Sequence, residues 1–391
     1  MKWIKAFLVI FSTILVFPVI AMHSERANTI KAIQRQLLPV LKRYQIPGAA
    51  IVIYNHGQPY AFYYGNATIK PKTKVTSDTS FEVASISKVF TSVILAEEAQ
   101  KGTVRLTSPM SYYIKNLSSK NTNFAKVSLE DLASHVNGFG QMPAPKIYNR
   151  NELIKSLAYW KPHHAVGTWW KYSNIGFGLL GYALDDATHL SYPALLKRDI
   201  TIPLNMKDTS IVGSDCTSQS CAQGYGWTGL AVNTTKKLLI IPAAGSIRAS
   251  GSDMLKFMAA AMGFSGEPKL LVHAFNLTEE PIYQSKYGAQ ALGWEVHNIN
   301  NINKYGYLKN KPKYITLRYS PVKEASHAIP KAELMFDKTG SVAGFRSYMI
   351  IYPEQKTGIA VMVNRAMSRT RLVTATRRAF LMMLNHQGEQ V

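Results

Sequence analysis

Acidic residues are scarce in this 391-residue chain, with 23 Asp and Glu against 45 Lys and Arg and a formal charge of +22. The shortage excludes an acidic solvating or calcium-buffering protein and favours attraction to anionic surfaces. Only two cysteines are present, Cys216 and Cys221. Neither a cysteine-rich disulfide scaffold nor a four-cysteine zinc module can be built from two, although in an oxidising compartment the pair can close a small local loop. Long apolar runs are also lacking after residue 20, so no later segment approaches the eighteen residues that a membrane helix needs. There is no Gly-x-Ser-x-Gly elbow and no His-x-His or His-Glu-x-x-His arrangement, which leaves an ordinary α/β-hydrolase or a zinc hydrolase without support. No recognisable nucleic-acid module accompanies the basic charge, so a solvated basic surface with weak attraction to anionic cell-envelope surfaces is expected, not a nucleic-acid partner.

With 47% apolar and 17% charged residues, the chain can bury a large core and has room for two subdomains. Residues 1–21 carry Lys2 and Lys5, then an apolar run from Ala6 to Ile20, then Val19-Ile20-Ala21 as a small-residue cleavage site. This is the pattern of a secretory signal peptide, predicting a mature chain 22–391 exported to the periplasm and still carrying +20.

Ile30, Ile33, Leu37, Leu38 and Leu41 recur at helical spacing within Asn28–Tyr44. Ala49–Tyr54 and Pro59–Tyr64 flank a turn at Asn55-His56-Gly57 and predict a hairpin. Near the other end, Leu334–Lys338, Ser347–Pro353 and Gly358–Asn364 alternate as three strands, followed by a helix over Thr370–Asn385. Both termini therefore supply one antiparallel sheet, and helices from about 85 to 204 supply a second, mainly helical half. The fold class is α/β in the α+β sense. Helices are also predicted over Leu129–His135, Ile175–Thr188 and Ser252–Met262, a strand near Leu292–Glu295, and a connector over Trp169–Asn174. Asn298–Lys323 is a basic excursion with little periodicity.

The chemistry centres on Ser85-Ile86-Ser87-Lys88, read as the start of a helix. Three-residue spacing puts Lys88 on the face of Ser85, and an amine whose charge is disfavoured can take a serine proton. A lone Ser-x-x-Lys arises by chance about once or twice in a chain this long, and Lys-Thr-Gly about once in ten such chains. Here Ser85-x-x-Lys88, Tyr172-x-Asn174 and Lys338-Thr339-Gly340-Ser341 follow one another in order.

That set resembles the active-site motifs of the penicillin-recognising serine hydrolases, and its Tyr-Ser-Asn element resembles the class C β-lactamases in particular. Ile46–Ala50, Gly167–Gly178, Leu292–Glu295 and Lys338–Asn364 extend the resemblance over most of the chain. The resemblance implies a β-lactamase/transpeptidase-like fold and a monomeric, metal-free and cofactor-free enzyme. It would hydrolyse small-molecule β-lactams, cephalosporins and penicillins, through a Ser85 acyl-enzyme. Ser85 would be the nucleophile, with backbone N–H groups of Ser85 and Ser341 as the oxyanion hole. Lys88 and Tyr172 would form the proton-transfer pair, with either as the formal base. Two nearby ammoniums, Lys88 and Lys338, would lower the Tyr172 pKa. Asn174 and Gln141 would bind the substrate amide, and Lys338, Thr339 and Arg371 its carboxylate. Gly340 would let substrate approach the strand. Gly245 stands where the family usually has a side-wall tyrosine, and Ser368 where it usually has an asparagine. A D-alanyl-D-alanine carboxypeptidase or esterase of the same fold, or a non-hydrolytic penicillin-binding sensor, would share the acylation machinery.

Overall fold

The computed structural model describes residues 16–117, 120–213, 220–233, 236–286, 288–301, 319–325 and 330–385. The first fifteen residues of the expected signal peptide, Cys216, and most of the 298–323 excursion lie outside the described residues.

In chain order, the elements that position the site are helix α1 (Val16–Arg43), strands β1 (Gly48–Asn55) and β2 (Gln58–Thr68), and helices α2 (Ser87–Gln100), α3 (Leu129–Ser134), α4 (Asn174–Thr188) and α5 (Gly251–Ala261). Helix α6 (Lys269–Thr278), which packs on α2, comes next, followed by strands β3 (Glu295–Asn298), β4 (Leu334–Val342), β5 (Phe345–Tyr352) and β6 (Thr357–Val363) and the last helix, α7 (Arg369–Asn385).

The six labelled strands run β3-β4-β5-β6-β1-β2 through the middle of a ten-stranded sheet. First and last segments meet where β1 pairs antiparallel with β6, from Ala49 opposite Val363 to Tyr54 opposite Gly358. This is the predicted union of the two termini. The β1–β2 hairpin closes with Asn55 opposite Gln58, and His56 and Gly57 both take positive φ, the turn whose twist matches that of the strands.

Ala49–Tyr54 is apolar without interruption because both faces of the sheet are covered. Ala49, Ile51 and Ile53 face the terminal helices, meeting Ile33, Leu37 and Leu41 of α1 and Leu372, Phe380 and Met383 of α7. Ala50 and Val52 face the helical body, as do Met349 and Ile351 of β5 and Ala360 and Met362 of β6. The alternation follows from the two-residue period of a strand.

Helix α2 runs through that body and is buried from Ser87 to Glu98. Phe90 stacks on Phe257 of α5 at 3.9 Å, and Phe257 meets Phe275 of α6 edge-on at 5.0 Å. A helix enclosed on every side has no solvent face for a charge. Lys88, in its first turn, is therefore withdrawn from water. Trp169–Lys171, expected as a connector, instead pairs with Tyr319–Pro321 as a two-stranded ribbon that leads into Tyr172.

Candidate active site

Ser85 does not begin the long helix, as the sequence suggested. It sits on a separate 3-10 turn, Ala84–Ile86, immediately before α2. The cause is Ala84, whose φ of 51° is left-handed. For an L-residue that conformation costs roughly 1–2 kcal/mol, and such strain persists where surrounding contacts over-determine it. Those contacts are present: Val83 N–H donates to Ile247 O at 3.0 Å, and Ile247 N–H donates to Ser87 Oγ at 3.0 Å.

Strand β4 crosses directly beside this turn. A Cβ on Gly340 would meet Ser347 Oγ at 2.0 Å and Val83 O at 2.3 Å. The open side of Gly340 thus faces the nucleophile turn, which corrects the expectation that it clears a path for substrate. Gly293, at φ +77°, plays the same part for α2, since its Cβ would meet Ser92 Oγ at 2.7 Å and Lys88 O at 3.0 Å.

Lys88 is fully buried, and its Nζ lies 2.7 Å from Asn174 Oδ1, 2.5 Å from Ala244 O and 3.4 Å from Ser85 Oγ. Burial, reinforced by the charge of Lys338, pushes its pKa well below the usual lysine value. A neutral amine has two N–H donors and one lone pair; two carbonyl oxygens take the donors, leaving the lone pair for the Ser85 hydroxyl.

Tyr172 donates from its hydroxyl to Ser85 Oγ at 2.7 Å. Its pKa is raised, not lowered as the sequence suggested: burial dominates, the hydrogen bond with Ser85 acts in the opposite sense, and Glu295 adds to the rise. Both lysine Nζ atoms lie over the aromatic ring, Lys88 Nζ 4.9 Å and Lys338 Nζ 5.5 Å from its centroid. The phenol is accordingly a proton donor at neutral pH. His135 holds it in place. The imidazole lies 4.4 Å from the Tyr172 ring, and its Nδ1 accepts the Ser173 N–H at 3.2 Å. Burial, reinforced by the charge of Lys338, pushes the His135 pKa well below the usual histidine value. Ser173 caps α4 through Gly176 N–H at 2.8 Å, which delivers Asn174 to Lys88. Asn174 Nδ2 is directed at Met142 Sδ, 3.2 Å away.

Lys338 is buried and makes no side-chain hydrogen bond among the described residues. Burial lowers its pKa, while Glu295 and Asp337 oppose the shift. Pairing of β3 with β4 stops at Glu295 opposite Asp337, so Lys338–Ser341 has no partner strand on that edge. Glu295, His297 and Asp337 bring ligand atoms within 4.8 Å of one another. Arg377 Nη2 already lies 2.5 Å from Asp337 Oδ2, so the two carboxylates of this cluster have a guanidinium as counter-charge.

These elements enclose a cavity of about 550 Å³ in which Ser85, Tyr172, Asn174, Gln141, Thr339 and Ser341 are brought together. Arg371 is not among its lining residues and is exposed. Arg369 lines the cavity in its place, because neighbours two apart on a helix point roughly 200° away from each other. Ser368 also lines it and caps α7, its Oγ accepting the Arg371 N–H at 3.4 Å. Gly245 is not a lining residue; the space beside it is bounded by Leu238 at 3.4 Å and Ala84 at 3.8 Å. Sequence reasoning missed Arg346, Trp227 and Met367, which complete the wall. The available signal was the two-residue Ala343-Gly344 turn, which sets Arg346 opposite Ser341.

The family model described as Beta-lactamase matches residues 28–382. A beta-lactamase from Yersinia enterocolitica is 28% identical over 364 residues, covering 91% of this chain and 92% of that protein. Among solved structures, the D-alanine carboxypeptidase AmpC from Burkholderia cenocepacia is similar with a TM-score of 0.82 at 27% identity, covering 91% of this chain and 99% of its own. A class C beta-lactamase in complex with cefoxitin also gives a TM-score of 0.82, at 25% identity over 92% of this chain and 99% of the other. The match spans the strands of both termini, the Ser85 turn, Tyr172 and the Lys338 strand together, and on that basis the chain belongs to the Beta-lactamase family.

Proposed function

We propose that the protein is a class C-like serine β-lactamase that opens the β-lactam amide through an acyl-enzyme on Ser85. The observation carrying this reading is the buried Lys88 amine, whose two N–H donors are taken by carbonyl oxygens and whose third neighbour is Ser85 Oγ. In this reading Lys88 takes the Ser85 proton as Oγ bonds to the lactam carbonyl carbon. The backbone N–H groups of Ser85 and Ser341 receive the developing oxyanion, an arrangement that can contribute several kcal/mol to lowering the barrier. When the C–N bond breaks, Tyr172 gives its proton to the departing nitrogen and recovers one from the Lys88 ammonium. Water then attacks the ester, with the same groups working in the reverse sense.

Thr339 and Lys338 bind the substrate carboxylate, and Gln141 the side-chain amide. The carboxypeptidase among the similar structures makes peptide cleavage the competing activity. The basic, apolar leader of residues 1–21 supports export to the periplasm; no helix among the described residues is long and apolar enough to cross a membrane.

The test is a side-by-side assay of the purified protein on a chromogenic cephalosporin and on a peptide ending in D-alanyl-D-alanine, each repeated with Ser85→Ala. Rapid cephalosporin turnover that disappears in the variant supports the lactamase. Release of D-alanine with only slow cephalosporin turnover would replace it with the carboxypeptidase.

A further inference from the structure

Among the described residues no aspartate or glutamate lines the cavity around Ser85, yet Arg346 and Arg369 both do. Arg346 is 8% exposed. Its Nε donates to Met367 O at 3.1 Å, and its Nη1 to Val342 O at 2.6 Å and Phe345 O at 2.7 Å. Those bonds engage three of the five guanidinium N–H groups. The two on Nη2 have no hydrogen-bond partner among the described residues, and Arg346 lines the cavity. Trp227 covers the group from one side, its ring centroid 5.9 Å from Cζ. No carboxylate pairs with Arg346 or Arg369 among the described residues.

Elsewhere in the fold a buried arginine, Arg377 of α7, is neutralised directly by Asp337 of β4. Arg346 has only backbone dipoles, and burial together with Arg369 pushes its pKa down to about 10. A buried cation beside a second cation is costly unless an anion completes the site. Arg369 stands in the first turn of the seventeen-residue α7, whose N-terminal dipole adds to the positive field.

We propose that Arg346 and Arg369 form a second anion-binding subsite, apart from Lys338 and Thr339, which selects substrates bearing an additional carboxylate or sulfonate. The inference rests on the β-lactam reading, because it assigns the subsite to a substituent of that substrate. One anionic group lying between Nη2 of Arg346 and the fork of Arg369 would take charge-assisted hydrogen bonds from both.

The experiment compares a benzyl-side-chain penicillin with its α-carboxybenzyl counterpart. Turnover of both is measured with the wild type, Arg369→Gln and Arg378→Gln; Arg378 is an exposed residue of the same helix that controls for overall charge. Dissociation constants for both are also measured by calorimetry on Ser85→Ala, with and without Arg369→Gln. Arg369 makes no side-chain hydrogen bond among the described residues, so its substitution spares the backbone anchoring that Arg346 supplies. A preference of about tenfold or more for the carboxylated penicillin is expected, falling about tenfold with Arg369→Gln and little with Arg378→Gln. Equal preference in wild type and Arg369→Gln, or equal loss in both arginine variants, would overturn the subsite. If neither penicillin is turned over while the binding preference persists on Ser85→Ala and collapses with Arg369→Gln, the subsite stands and the hydrolase reading fails.

Discussion

The Tyr172 hydroxyl lies 2.7 Å from Ser85 Oγ as a hydrogen-bond donor, while the Nζ atoms of both neighbouring lysines lie over the tyrosine ring. A protonated phenol in that position can supply a proton to a departing nitrogen, whereas the desolvated Lys88 can accept one. The roles divide by environment: burial disfavours the charged form of each group, phenolate in one and ammonium in the other.

Tyr172→Phe keeps the ring and removes only the donor. Hydrolysis of a chromogenic cephalosporin should fall about 10²–10⁴-fold, the range for losing a positioned acid. The melting temperature should change little. Activity within a few-fold of wild type would show that the phenol is dispensable.

The pH dependence follows from Lys88. Its amine must be neutral to act as the base, so kcat/KM should fall as pH drops through its lowered pKa. The charge of Lys338 contributes to that lowering. Removing it with Lys338→Met should raise the Lys88 pKa and carry the acid limb of the profile to higher pH, besides reducing the rate. An unmoved limb, or one displaced to lower pH, would assign that limb to another group.

Gly340→Ala tests whether the glycine serves the nucleophile turn. Its Cβ would fall 2.3 Å from Val83 O and 2.0 Å from Ser347 Oγ, so strand and turn must separate. Thermal unfolding should report a loss of about 1–3 kcal/mol, the usual effect of overpacking. Displacing Ser85 from Ser341 by a fraction of an ångström to an ångström should reduce kcat by up to about a hundredfold. Full stability with full activity would contradict the proposed packing role.

What the sequence made legible was whatever depends on local spacing. Three-residue separation was enough to place Lys88 near Ser85, and alternation in Ala49–Tyr54 and Gly358–Asn364 was enough to join the termini in one sheet. Properties that depend on the direction of a side chain in the assembled fold were not legible. Arg371 was the only arginine of α7 expected at the site, and Arg369 lines the cavity instead, because the sequence does not say which side of α7 meets it. The Tyr172 pKa was misjudged because proximity of two lysines does not reveal that they face the ring, nor how fully the hydroxyl is buried. Arg346 carries no motif of its own and reaches the site only through pairing with Ser341 across a tight turn. The left-handed Ala84 likewise has no local signature, since alanine is a good helix former and its conformation is imposed by the strands around it.

The most direct test of the Ser85 acyl-enzyme is intact-mass spectrometry of rapidly quenched mixtures of the protein with a β-lactam, followed by peptide mapping. A transient mass increase equal to the whole β-lactam, located on the peptide containing Ser85 and absent from Ser85→Ala, is the predicted result. Undiminished hydrolysis by Ser85→Ala, or an adduct that maps to another residue during turnover, would contradict it.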